Sequence, residues 1–246
     1  LNLRFQQTHL TDTWAALAGQ VYYNYADHVM DNFRLRAFKP SAMMGMPMSS
    51  NVDRRTLGTR ISSTWQWDAL ELIAGVDAQK NEHRARKGPG DSYKDMAWAK
   101  DAEFKQYGLF SELSWNVADG ERLITGVRVD RASATDTRAQ LCNMMGMACR
   151  ANPTADKERT ETLPSGFVRY EHDLQAIPAT TYIGLGHSQR MPDYWELFSA
   201  TSQVGKPTAF ASTNPEKTTQ VDFGIQYSQG PLDAWASAYV GQVRDY

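Results

Sequence analysis

The chain has 246 residues, of which 41% are hydrophobic, with 28 acidic and 26 basic side chains. A formal net charge of −2 gives no general attraction to nucleic acid or to an anionic surface, and no arginine-rich cluster argues otherwise. No apolar run reaches the roughly 18 residues of a transmembrane helix, so a helical membrane span is excluded.

Helical periodicity is nearly absent, and alternation at period two recurs from end to end. In chain order, strands are expected at about 1–8, 12–30, 54–67, 70–77, 102–117, 123–130, 158–173, 178–190, 220–228 and 231–246. The clearest is the segment in which Val221, Phe223, Ile225 and Tyr227 face one way and Gln220, Asp222, Gly224 and Gln226 the other. Short turns are expected near Asp68, at Asp119-Gly120, near Leu174-Gln175 and at Gln229-Gly230-Pro231. Long excursions, roughly 31–53, 83–101, 137–157 and 191–215, alternate with them. Strands longer than the usual five or six residues, with short turns at one rim and long loops at the other, describe a bacterial outer-membrane barrel.

The expected fold is therefore all-β: an antiparallel transmembrane β-barrel segment of roughly ten strands. Barrels with a plugged lumen run to about 22 strands, so residues 1–246 read as an internal part of one such barrel domain. Leu1-Asn2-Leu3-Arg4-Phe5 opens in mid-strand, which fits that reading, with a plug domain and the C-terminal strands lying outside this sequence. A soluble β-sandwich or solenoid is the rival, and it predicts shorter strands without alternating loop lengths.

Seven of the ten methionines fall in two loops. Met43, Met44, Met46 and Met48 form one group. Met144, Met145 and Met147 form the other, bracketed by Cys142 and Cys149. Thioether and thiolate are soft donors, and soft sulfur selects copper(I) among common biological metals. The first loop reads as a low-affinity copper collector or as an apolar tip packed on its neighbours. The cysteine pair reads as a disulfide closing a short loop or, if reduced, as further ligands beside the methionines.

His28 and Met30 are two residues apart on a strand and so share a face. Gln20, Tyr22, Asn24 and Ala26 continue that face, and the more apolar Leu17, Val21, Tyr23 and Tyr25 line the other. The apolar side should meet lipid, which turns His28 and Met30 toward a lumen as half of a metal site. The competing account makes them an ordinary rim histidine and a loop-root methionine. His83, His172 and His187 are scattered, and Lys80–Lys87 reads as a solvated strand end. Gly184 and Gly186 lie within a strand without the helix a phosphate site needs, and nothing places a catalytic triad, so no enzyme is expected.

Two segments resemble the TonB-dependent outer-membrane receptors. Asn214-Pro215-Glu216-Lys217 leading into Thr218–Tyr227 is similar to their Pro-Glu-Lys strand entry. Arg190-Met191-Pro192-Asp193-Tyr194-Trp195-Glu196-Leu197-Phe198 resembles their Arg-x-Pro…Glu-Leu segment. Within that family, His28–Arg34, Met46–Asn51 and Met191–Leu197 resemble the copper receptors. That resemblance implies an outer-membrane transporter of copper ions, with no organic cofactor. The metal would be held by a His-x-Met pair from the barrel and a Cys-x-x-x-Met pair from the plug. His28 and Met30 fit the first pair. Gly146 stands four residues after Cys142, so the second pair is not carried onto that cysteine. The implied partners are the TonB complex, reached through the plug, and the surrounding outer-membrane lipid and lipopolysaccharide. A siderophore or other chelate receptor is the rival within the fold, and a passive porin or adhesin barrel is the rival outside the family.

Overall fold

The computed structural model describes residues 1–41, 45–142, 149–198 and 208–245. Its strands are β1 (Asn2–Thr8), β2 (Trp14–Asp31), β3 (Met48–Gln66), β4 (Leu70–Pro89), β5 (Ala99–Ala118), β6 (Glu121–Asp136), β7 (Gln140–Cys142), β8 (Cys149–Ala151), β9 (Glu158–Leu174), β10 (Ala179–Arg190), β11 (Glu216–Gln229) and β12 (Leu232–Arg244). Two short helices, α1 (Tyr194–Phe198) and α2 (Ala209–Ser212), lie between β10 and β11. Ten strands form one antiparallel sheet in sequence order, interrupted only where β7 and β8 form a separate hairpin. The sheet is the expected barrel segment.

The four short turns occur where turn chemistry placed them. Gly120 and Gly230 adopt φ of 72° and 61°, a left-handed conformation that glycine enters without steric cost. The connections at 137–157 and 191–215 have the expected bounds, whereas the first two are shorter than expected, because β3 begins at Met48 rather than near 54 and β4 continues to Pro89. β4 and β5 each run 20 residues, whereas a tilted strand crosses a bilayer in about 9–11. The upper halves of these strands therefore stand above the hydrocarbon. There polar side chains bond across the ladder, as Arg84 Nε does to Asp53 (2.8 Å) and Arg86 Nε to Asn51 (2.8 Å). Apolar alternation stops at that height, which removes the only periodic signal of a strand.

Contacts separate the two faces. Arg128 donates to Asp77 at 2.7 and 2.8 Å and to Asp130 Oδ2 at 2.6 Å, and Gln106 donates to Asp130 at 2.9 Å. This polar network marks the inner face. On the outer face Tyr107, Leu109, Leu113 and Trp115 alternate down β5, and Leu109 is 62% exposed. From Tyr107 to Trp115 is about 27 Å of strand, and strand tilt reduces this to roughly 20 Å of height. That is close to the apolar band between two aromatic girdles, with Tyr107 at the loop-side girdle.

Candidate functional site

The inner face carries His28 and Met30 as parity predicted. The Tyr22 hydroxyl donates to Gln79 Oε1 at 2.8 Å across Gly58, where a β-carbon would meet the ring at 2.2 Å. Tyr22, Gly58 and Gln79 are thus on one side, and steps of two along β2 reach Asn24, Ala26, His28 and Met30. His28 pairs with Val52 and Met30 with Ser50. Both side chains are exposed, and neither has a side-chain hydrogen bond among the described residues.

Met48 joins them. It opens β3 two residues before Ser50, so it is the diagonal cross-strand neighbour of Met30 on the same face, about 7–8 Å away. Its backbone N–H donates to Asn32 Oδ1 at 3.0 Å, which fixes the loop root. Met46 is exposed beside it. Met43, Met44, Met144, Met145 and Met147 lie outside the described residues. In the β7–β8 hairpin the backbone register sets Cys142 opposite Cys149, and Cys149 carries no free thiol.

The carboxylates nearby are on the other face and engaged. Asn51 donates to Asp27, and Arg84 holds Asp53. An imidazole and two thioethers therefore line the inner wall with the nearest carboxylates turned away, a donor set suited to a soft cation. Among the described residues there is no cluster of three His, Cys, Asp or Glu side chains able to hold a harder metal.

A second constellation was not expected from sequence. The segment after β10 folds inward, and α1 packs on the inner wall of β4–β6. The Tyr194 ring stacks on His83 with centroids 3.6 Å apart. Its hydroxyl donates to Asp101 Oδ2 at 2.6 Å, and His83 Nδ1 lies 2.6 Å from Asp101 Oδ1. Burial, reinforced by the Asp101 charge, pushes the Tyr194 phenol well above its ordinary range. Phe198 stacks on Tyr194 at 5.2 Å and meets Phe104 edge-on, over a cluster containing Ala102, Ala134, Leu197 and Phe210. The available signal was parity: His83 falls on the inner face opposite Ala102, whose small side chain leaves room for a ring.

The same fold explains the two family-like segments. Arg190 donates to both oxygens of Glu196 (2.9 and 2.8 Å) and to Glu216 (2.8 Å), joining the Arg-x-Pro, Glu-Leu and Pro-Glu-Lys segments in one ion cluster. The Arg190 guanidinium holds the Glu196 carboxyl below its ordinary range. On the outer side, Arg84 and Arg86 lie 4.9 and 4.4 Å from the Trp98 ring, so this end of β4 is covered rather than freely solvated. His187, also on the outer face, bonds Thr219 at 2.8 Å and Gln189 at 3.1 Å.

Long antiparallel strands, alternating loop lengths and an apolar exterior define an outer-membrane β-barrel. The family model described as "TonB dependent receptor-like, beta-barrel" matches residues 1–246, and the chain belongs to that family. Among solved structures it is similar to "Copper transporter OprC", with 54% identity, a TM-score of 0.90 and coverage of 100% of this chain and 39% of that one. The ferric-catecholate import receptor Fiu of E. coli K12 shares the fold, with 14% identity, a TM-score of 0.67 and coverage of 98% and 40%. The hemophore receptor HasR of Serratia marcescens does so as well, with 16% identity, a TM-score of 0.66 and coverage of 100% and 39%. The chain thus spans about two fifths of the length of these proteins. No curated protein sequence matches it.

Proposed function

We propose that this barrel segment belongs to a TonB-dependent receptor that takes up copper ions, and that His28 and Met30 are the wall's half of the metal site. The observation that carries the reading is the exposure of both side chains on the inner face, with no side-chain hydrogen bond among the described residues, above a lumen. The 54% identity with a copper transporter supports the choice of metal. Met48 stands beside Met30 and connects the wall to the loop that holds Met43, Met44 and Met46, which act as collectors at the entrance. Met144, Met145 and Met147 serve the same role from the segment between β7 and β8. The facing positions of Cys142 and Cys149 favour a disulfide that closes that loop.

Two donors hold a soft ion weakly, so tight binding requires further ligands from another part of the receptor, and losing them would release the ion. In this reading the TonB complex supplies that step by acting on the plug. In the full-length receptor, changing His28 and Met30 together to Ala should abolish high-affinity copper binding while leaving the barrel folded. Unchanged copper stoichiometry would contradict the assignment. Competition between copper and ferric chelates separates this reading from a chelate receptor, which would bind the chelate and ignore the metal ion.

A further inference from the structure

The wall around His28 and Met30 carries charge that a metal ion alone does not use. Cross-strand register sets three rows on the inner face of β2, β3 and β4. The upper row is Met30, Ser50 and Lys87, the middle row His28, Val52 and Ala85, and the lower row Ala26, Arg54 and His83. Lys87 and Arg54 thus bracket the histidine row from above and below. Lys87 stands four residues beyond His83, the partner of Arg54, so the two cations leave the backbone about 14 Å apart. Only the short apolar side chains of Val52 and Ala85 stand between them on these strands.

Arg54 and Lys87 are both exposed, and neither has an ion-pair or hydrogen-bond partner among the described residues. The acidic side chains nearby do not offset them. Asp27 and Asp53 face outward, and Glu82 pairs with Lys80 on that outer side. On the inside, Asp101 is held by His83 and Tyr194. Imidazole and thioether bind a metal as neutral groups, so they add no negative charge. Height decides what meets these cations. Tyr107, at the loop-side girdle, shares its row with Ala78, Thr59 and Val21. His28 is seven residues further along β2, about 24 Å of strand and roughly 18 Å of height. The three rows therefore stand in the outer mouth of the barrel, where solutes arrive from the medium.

A bare metal cation approaching this stretch is repelled by both side chains, whereas a metal that carries anionic ligands is attracted. The forked guanidinium of Arg54 suits a carboxylate, which it can hold by two parallel bonds, and Lys87 adds a point charge at the other end of the row. We propose, resting on the copper reading of His28 and Met30, that copper reaches them as an anionic complex of a small carboxylate ligand, with Arg54 and Lys87 as the subsite for that ligand. Carboxylate is a hard donor, and imidazole and thioether suit copper better. The metal exchanges its bonds to carboxylate oxygen for bonds to His28 and Met30, with no electron transferred. The freed carboxylate keeps its negative charge and leaves from Arg54 and Lys87 to the medium.

The test follows copper capture by the full-length receptor after rapid mixing, read by quenching of protein fluorescence. Copper is supplied either as its citrate complex, which is anionic, or as its bis-ethylenediamine complex, which is cationic. Arg54→Gln with Lys87→Gln should slow capture from citrate by about fivefold or more, and capture from the ethylenediamine complex should be as fast as wild type or faster. Arg4→Gln, which removes an inner-face cation lower on the wall opposite Gln20, should change neither rate. The final copper stoichiometry of the double variant should equal wild type, because neither side chain donates to the metal. Failure of the copper reading shows separately, as wild-type stoichiometry in the receptor with His28 and Met30 both changed to Ala. Unchanged capture from citrate, equal slowing with both complexes, or lost stoichiometry in the Arg54→Gln, Lys87→Gln receptor would overturn the proposal.

Discussion

Two histidines on the inner face of the same sheet have opposite surroundings. His83 is 4% exposed, stacked under Tyr194 and bonded to Asp101. His28 is exposed and has no side-chain partner among the described residues. A ring fixed by stacking and a carboxylate serves packing. A ring left open beside two thioethers is available to a ligand. The difference teaches that a donor on a barrel wall is identified as much by what leaves it uncovered as by its element type.

This contrast can be broken by substitution. Tyr194→Ala should have the largest effect on structure, because it removes a partly buried aromatic stacked on His83 and Phe198, together with the bond to Asp101. Losses for fully buried aromatics are about 3–5 kcal/mol, and here a somewhat smaller loss should fall on the docking of α1. Hydrogen exchange or limited proteolysis of residues 191–198 would detect the release, and unchanged protection would show that α1 is held elsewhere. His83→Ala should cost about 1–3 kcal/mol through the lost Asp101 bond and stack, with copper binding retained. His28→Ala should do the reverse, with stability within about 0.5 kcal/mol of wild type and copper affinity lost. Thermal melts and copper titrations on the same samples would compare the two, and equal effects on either property would remove the distinction.

Smaller effects sharpen it. Met48→Ala should weaken copper binding only a few-fold, since it leaves His28 and Met30 in place. A loss as large as that of Met30→Ala would make Met48 a principal ligand. Acid should loosen α1 through the Arg190 cluster. The Glu196 carboxyl titrates below its ordinary value in the folded state, so its contribution is present above the unfolded-state value and is lost as pH falls through the lowered folded one. Proteolysis at residues 191–198 should therefore increase under acid, and Glu196→Gln should flatten that pH dependence.

Much of the fold was legible because lipid and lumen impose opposite demands on alternate residues. Leu123, Thr125, Val127 and Val129 announce an outer face in the bare sequence, and Gly126, Arg128 and Asp130 the inner one. The strand ends at Met48 and Pro89 were not legible, since above the lipid both faces are polar and pairing rests on partners such as Arg84 with Asp53, distant in sequence. The orientation of His28 and Met30 followed from parity alone. The docking of Tyr194 on His83 did not, because it joins residues more than a hundred positions apart through a loop with no periodic pattern. Met48 lay between these cases: its type stood out, and only the register placed it next to Met30.

The central claim, that the inner wall contributes an imidazole and a thioether to bound copper, is tested most directly by X-ray absorption of the copper-loaded full-length receptor. The spectrum should show a nitrogen scatterer with imidazole multiple scattering together with sulfur. His28→Ala should remove the imidazole component, and His83→Ala should leave it intact. An imidazole signal that survives in the His28→Ala protein would contradict the account.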